Sequence, residues 1–527
     1  MDSHVKKSLK RILLILVILV LFSSQISSDK PCAARAVADR SVVCVCNDTY
    51  CDDVTRQPPA RGQYVTYTSS KAGSRLKKSL GILQSNSATH ECCSLSLQLD
   101  PETHYQTIEG FGGAVTDSAG INWRSLSDNL QKHLINSYFG DNGLQYSVIR
   151  VPIGGCDFST RPYAYNELPE DDVLLTNYTL AYEDYQYKIP MIKAILNVSS
   201  TPVHIVATTW SPPAWMKTND NYKGASRLKP EYFQTYADYH YKFIEKYAAE
   251  GIKIWGITTT NEPTNGVIPL AKFNSLGWTA NNMGRWIINH LGPTIRNSTF
   301  KDLKIITVDD QRFTLPYWFN VMVEFHPRVI DWIDGVAVHY YADIITPPSF
   351  LSLVSETHPD KFILATEACE GSFSWQKKVD IGSWSRARNY IIDIIVDLNH
   401  NVVGWLDWNM CLDQNGGPNW AENFVDSPIL VFPERGEFIK QPMFYAMGHF
   451  SKFLPRGSKR INVLERMSLL SDTVKYTAFI TPNNTIVVVL YNENNEEVSV
   501  RIKQGNKNAV VEMEALSVVT VEFNYIS

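Results

Sequence analysis

Between residues 107 and 409, short apolar runs alternate with longer segments whose apolar residues recur every three or four positions. Eight such runs are present, at 107–114, 145–153, 204–210, 253–263, 304–310, 335–341, 361–369 and 402–409, each finishing in polar or aromatic residues. Several are rich in Ile and Val with little alternation, the pattern of strands covered on both faces. The segments between them read as helices. After Pro230, the residues Tyr236, His240, Phe243 and Tyr247 recur at helical spacing until Gly251. Tyr390, Ile391, Ile394, Ile395 and Leu398 make a second stripe after a polar start at Ser383. His240 falls inside its stripe and is expected to be core. Eight strands alternating with helices predict an α/β fold, a (β/α)8 TIM barrel over 105–409 plus 442–457.

Beyond residue 458 the pattern changes to short runs bounded by polar turns, at 476–480, 485–491, 498–502 and 510–523. These predict an immunoglobulin-like β-sandwich. The segment before the barrel has similar short strands, so the sandwich is expected to comprise 57–104 plus 458–527.

Composition narrows the reading. With 44% apolar and 20% charged residues over 527 positions, the chain is long and apolar enough for a large core, and disorder as its main state is excluded. A net charge of −5 gives no basic field, so no nucleic-acid partner is expected. At the start, Lys6, Lys7, Lys10 and Arg11 precede eleven apolar residues from Ile12 to Phe22. That run is too short to span a bilayer and predicts a signal peptide over 1–28. The nine cysteines fit the oxidising compartment this implies. Cys32, Cys44, Cys46 and Cys51 cluster at spacings suited to two small disulfide loops and lack the paired spacing of a zinc site. Cys92 and Cys93 are adjacent, and the sequence leaves their state open, whereas Cys156, Cys369 and Cys411 read as buried thiols. Glycosylation sequons stand at Asn47, Asn177, Asn197, Asn297 and Asn483.

Two glutamates carry the chemistry. Glu262 and Glu367 end the fourth and seventh apolar runs, which places both on the barrel face where such folds hold their active sites. Two carboxylates there suit glycosidic bond cleavage, one protonating the leaving oxygen and the other attacking the anomeric carbon. Close carboxylates cannot both ionise cheaply, so one is expected to be held protonated, and Glu262 is assigned as that acid/base. Asn261 precedes it and is placed to donate to a sugar hydroxyl. Arg150, Asp157, Phe158, Trp210, Asp309, Asp310, His339, Tyr340, Tyr341, Asp407 and Trp408 also fall at strand ends. The serine-hydrolase elbow, the phosphate loop and the His-Glu-x-x-His zinc pair are all missing. No metal and no cofactor is expected.

The residues also carry a family resemblance. Residues 41–51, Gly110-Phe111-Gly112-Gly113-Ala114, Cys156-Asp157-Phe158-Ser159, Asn261-Glu262-Pro263, Gly416-Gly417-Pro418-Asn419-Trp420, Ser427-Pro428, Gln441-Pro442-Met443-Phe444-Tyr445 and residues 448–453 resemble the lysosomal glucosylceramidases of glycoside hydrolase family 30. The resemblance implies Glu262 as acid/base, Glu367 as nucleophile, and Asp157, Trp210, Asn261, Trp408 and Asn419 around a glucose ring. It places Phe158, Phe273 and Tyr341 at the pocket or its entrance, and implies the disulfides Cys32–Cys44 and Cys46–Cys51. It further implies a small antiparallel sheet domain from 29–56 plus 410–441, retaining hydrolysis of glucosylceramide, and a lysosomal address. The expected partners are a glycosphingolipid at a membrane surface, a saposin-like activator protein and anionic phospholipids. Ala271, Ser275, Thr260 and Tyr340 depart from the family pattern and bear on the pocket rim. The alternatives are another β-glycoside (a sterol glucoside, a xyloside or a glucan) as substrate, or a catalytically silent binding protein.

Overall fold

The computed structural model describes residues 29–85, 93–267, 272–468 and 473–526. The predicted signal peptide, Cys92 and Ala271 lie outside the described residues.

Eight parallel strands close into a barrel: Gly110–Ala114, Val148–Ile153, His204–Thr209, Gly256–Thr258, Lys304–Gln311, Gly335–His339, Phe362–Glu367 and Val402–Asn409. All eight coincide with predicted runs. Helices pack outside them, so a strand such as Val148–Ile153 is buried at every position. The helix Phe233–Ala249 carries the predicted stripe, with Tyr236, His240, Phe243 and Tyr247 facing inward. His240 is fully buried between the Thr209 hydroxyl (3.0 Å) and the Tyr236 carbonyl (2.8 Å), and burial lowers its pKa to about 4.

One difference concerns the fourth strand, where pairing on both sides is confined to Gly256–Thr258, short of the predicted end. Glu262 instead sits on the segment beyond, at φ 42°. That segment still bridges its neighbours, since Asn261 N donates to Thr209 O and Glu262 N to Asp309 O, both at 2.9 Å. The strand therefore gives way to a strained connection that aims the carboxylate inward.

A continuous ten-stranded sheet forms the sandwich, joining Gln63–Ser70, Lys77–Ile82, Gln84–Ser85 and Leu95–Thr107 to six strands from Lys459 onward. Its own apolar core includes Leu97, Val488, Leu490, Val500 and Val521. Two predictions are corrected here. The run 510–523 is two strands, Lys507–Met513 and Ser517–Asn524, reversed through Leu516 at φ 47° without a glycine or proline to mark the turn. Lys459–Ser468, not anticipated, is the strand that pairs with Leu95–Thr107 and links the two halves.

The third unit is a five-stranded sheet of Ala34–Arg35, Val43–Asn47, Glu437–Lys440, Ile429–Phe432 and Cys411–Asp413. Its pairings are antiparallel except that between Cys411–Asp413 and Ile429–Phe432, which is parallel. Cys32–Cys44 and Cys46–Cys51 are bonded as the resemblance implied. Cys156, Cys369 and Cys411 are buried thiols, and all five sequon asparagines are exposed.

The first barrel strand shows why its sequence is so rich in glycine. A Cβ added to Gly112 would meet the backbone oxygen of Val148 at 1.6 Å, in the neighbouring strand. Backbone cannot yield there as a side chain would, so Gly112→Ala is expected to destabilise the protein by about 3 kcal/mol or more, read by urea denaturation.

Candidate active site

The C-terminal ends of the barrel strands are irregular, and the irregularities fall where the polar residues gather. Register shifts occur at Val308/Asp310, Val338/His339 and Asp407/Asn409. Val308 and Asp309 adopt φ 75° and 52°. A β-branched residue at such an angle is strained, and the resulting bulge buries Asp309 and Asp310 together.

Asp309 anchors the floor. It accepts from Arg150 Nη2 (2.9 Å), Thr258 Oγ1 (2.7 Å), Thr366 Oγ1 (2.6 Å) and His339 Nε2 (3.1 Å). Burial opposes its charge, but Arg150 and His339 overcome this and hold it well below the usual carboxylate range. Arg150, fully buried, also donates to Asn261 Oδ1 (2.7 Å) and to Glu367 Oε2. Its guanidinium lies over the stacked rings of Trp210 (4.8 Å) and Trp408 (5.4 Å).

Glu367 and Glu262 meet across this floor, with carboxylate oxygens within 4.8 Å of one another. Their partners differ in kind. Glu367 pairs with the permanent charge of Arg150 and receives the Tyr341 hydroxyl at 2.7 Å. Glu262 receives the amides of Asn265 and of Gln311 (3.0 Å), and His339 Nδ1 at 3.0 Å. Burial alone would depress His339, yet Glu367, Asp309 and Glu262 outweigh it and raise its pKa to about 10. The ring is therefore an imidazolium donating from both nitrogens. Glu262, His339 and Glu367 offer a cluster of donor atoms that resembles a metal site. Both ring nitrogens of His339 are already engaged by carboxylates, Nδ1 by Glu262 and Nε2 by Asp309.

A cavity of about 400 Å³ opens above the pair. Asp157, Phe158, Trp210, Asn261, Phe273, Tyr341 and Trp408 all line it. Asn419 does not; it stands behind Asp157 and donates to its Oδ2 at 3.1 Å. Asn423, missed in the sequence, lines the wall and donates to the same oxygen at 3.0 Å. Burial pushes Asp157 up to about 7, with Glu367 and Glu262 adding to the rise against these two amides. Because Arg150 takes the Asn261 carbonyl, the Asn261 amide nitrogen is left for a ligand. Asn265, Gln311, Phe313 and Phe373 also line the cavity unforeseen: Gln311 is the last residue of the fifth barrel strand, and the other three lie beyond strand ends where no period marks them.

Of the departures, Thr260 and Ser275 are buried behind the cavity, and Thr260 donates to the Thr209 carbonyl at 3.2 Å. Tyr340 faces a neighbouring cavity and donates to Glu370 at 2.6 Å. Asp407, another predicted strand-end acid, is a core group accepting from Tyr390 at 2.5 Å.

The charges fix a pH window. Asp309, with its lowered pKa, contributes stability that is present above its unfolded value of about 3.9 and lost as the pH falls below it. His339, with its raised pKa, contributes stability fully present below about 6.5 and lost progressively as the pH rises towards about 10. The network is strongest between these limits, on the acid side of neutrality. Asp309→Ala takes a carboxylate partner from two buried cations and is expected to cost about 3–5 kcal/mol in denaturant unfolding at mildly acidic pH.

Comparison with known proteins agrees with this geometry. Residues 108–454 match the glycosyl hydrolase family 30 TIM-barrel domain, and residues 457–521 match the family's β-sandwich domain. The chain is 41% identical over 481 residues to lysosomal acid glucosylceramidase of Mus musculus, covering 90% of this chain and 91% of that one. It is 43% identical over 425 residues to putative glucosylceramidase 3 of Caenorhabditis elegans, covering 80% and 81% respectively. The crystal structure of SrfJ from Salmonella typhimurium shares the fold, with a TM-score of 0.80 and 24% identity over 88% of this chain and all of that one. With both of its principal domains matched in order and a barrel mouth built around two facing glutamates, the chain belongs to glycoside hydrolase family 30.

Proposed function

We propose that this protein is a retaining β-glucosidase that hydrolyses glucosylceramide to glucose and ceramide. The observation that carries the reading is the approach of the Glu262 and Glu367 carboxylates to within 4.8 Å. That separation suits direct attack by one carboxylate and leaves no room for the water an inverting enzyme places between them. Glu367 attacks the anomeric carbon, the glucosidic bond breaks, and the departing ceramide oxygen takes the proton of Glu262. Glu262 then accepts a proton from water, whose oxygen attacks the same carbon and displaces the Glu367 carboxylate. Glucose leaves with its configuration retained.

Asp157, Asn261, Trp210 and Trp408 hold the sugar in this scheme, the two indoles against its apolar face and the polar groups on its hydroxyls. Ceramide as the leaving alcohol is supported by the similarity to lysosomal acid glucosylceramidase of Mus musculus and putative glucosylceramidase 3 of Caenorhabditis elegans. Surroundings of the mouth are consistent with a lipid surface. Trp375 is 78% exposed and stacks on the cavity residue Phe373, while Ile344 and Ile345 are 91% and 82% exposed. No helix among the described residues is long and apolar enough to cross a membrane. The proposed setting is the lysosomal lumen, peripheral to the membrane, with a saposin-like activator and anionic phospholipids as partners.

Glu367→Gln is expected to lower kcat about 10⁴-fold or more on every β-glucoside while substrate binding persists. Normal turnover in that variant would refute the nucleophile. Glu262→Ala should slow glucosylceramide far more than an aryl glucoside, whose leaving group needs no proton. Anionic vesicles should raise hydrolysis of glucosylceramide and leave the soluble aryl glucoside unaffected. Preference for a sterol glucoside or a xyloside in the same assay would keep the two glutamates and replace the substrate.

A further inference from the structure

The loop after the sixth barrel strand reaches both glutamates. Tyr341 donates to Glu367 at 2.7 Å, and Ala342 N donates at 3.0 Å to Gln311 Oε1, whose Nε2 donates to Glu262 at 3.0 Å. The same loop is fastened from behind by Arg312, which contacts Asp343 at 2.5 Å, Asp397 at 2.7 Å, Asp393 at 3.6 Å and the Thr346 carbonyl at 3.4 Å. Asp393 and Asp397 stand on the helix Trp384–Asn399. One guanidinium therefore serves three carboxyls whose oxygens lie within 4.8 Å of one another. Asp343 Oδ1 is buried and has no hydrogen-bond partner among the described residues. An orphaned acceptor beside a second carboxyl is satisfied by a proton shared between them. Other charges nearby do not relieve the excess. Arg388 is paired with Glu493 at 2.6 Å, and Glu370, held by Tyr340 and Asn389, adds a further acid.

We propose that Arg312, Asp343, Asp393 and Asp397 form an acid-closed clasp in which a proton shared by Asp343 and Asp393 holds the loop, and with it Tyr341 and Gln311, on the two glutamates. This rests on the hydrolytic reading above, and the four residues are positioning groups that act through Tyr341 and Gln311. Burial, and then the charges of Asp393 and Asp397, raise Asp343 well above its ordinary value; burial raises Asp393 and Asp397 as well, against the pull of Arg312. A raised carboxyl pKa means that the closed state binds more protons than the open one. Closure is therefore favoured as the pH falls and released as it rises through the raised value.

The test is Asp393→Asn, which keeps an acceptor for Trp405 Nε1 (2.9 Å in the parent), offers Asp343 an amide donor and removes one charge. On a soluble aryl β-glucoside, between about pH 4 and about pH 8, the alkaline limb of kcat should move up by about one unit with acidic activity retained. Asp343→Asn should move it in the same direction. The melting midpoint of the parent should fall from mildly acidic to neutral pH, and that of each variant should fall less. An active Asp393→Asn enzyme with an unmoved limb overturns the clasp, as does a limb that moves in the parent only when calcium or a chelator is added, which would make the cluster a cation site. A parent without glycosidase activity would overturn the hydrolytic reading instead, and the melting midpoints would still decide the clasp.

Discussion

The structure turns on one buried cation. Arg150 sits at the barrel centre with no exposed surface, and such a charge is tolerable only with opposite charges arranged round it. Asp309 and Glu367 supply them, and the remaining hydrogen bonds go to Asn261 and Thr208. The side chain that neutralises the barrel floor thus also fixes the orientation of one glutamate and of the asparagine next to the other. Catalytic geometry and core stability are the same set of contacts here. Loss of one is loss of both.

This explains the strain around the site. A regular parallel ladder would point alternate side chains inward in even layers, and it has no means of delivering Asp309, Asp310 and Glu262 to one height. The bulge after Val308 and the left-handed turn at Glu262 solve that problem at a cost of a few kcal/mol, on the order of 1–3 for each strained residue. The strain persists because Asp309 is held on four sides, and because Asp310 pins Thr264 through its hydroxyl and its backbone amide at 2.7 and 2.9 Å.

Much of this was legible in the sequence. The eight runs, the two glutamates and the aromatic floor follow from period and from residue type at strand ends, because a closed barrel gives each strand a fixed role. What remained hidden has identifiable causes. Arg150 and His339 were visible as strand-end residues, but nothing local told that Asp309 would bind both. Gln311 closes the fifth barrel strand one residue past the predicted run, and Asn423 acts from a loop whose position depends on tertiary contacts. The reversal at Leu516 lacked any turn residue, and Lys459–Ser468 carries two adjacent charged pairs, Lys459-Arg460 and Glu465-Arg466, that mask its strand pattern. Conversely Asn419 was placed in the site by resemblance, and in the structure it supports Asp157 from behind.

The ten-stranded sheet has a bearing on biogenesis. Gln63–Ser70 pairs with Ser517–Asn524, and Leu95–Thr107 with Lys459–Ser468 and Val498–Gln504. The strands made first therefore wait for partners made last, while the whole barrel is synthesised between them. The helix Pro442–Ser451, buried at all ten positions, joins barrel to sandwich through His449, which meets Ser69 and Thr520 at 2.9 Å each. Until that late segment arrives, the early strands present open edges that invite mispairing. Completion of the sheet therefore awaits the last strand, and a ribosome that stops short of it leaves a barrel with an unfinished sheet beside it.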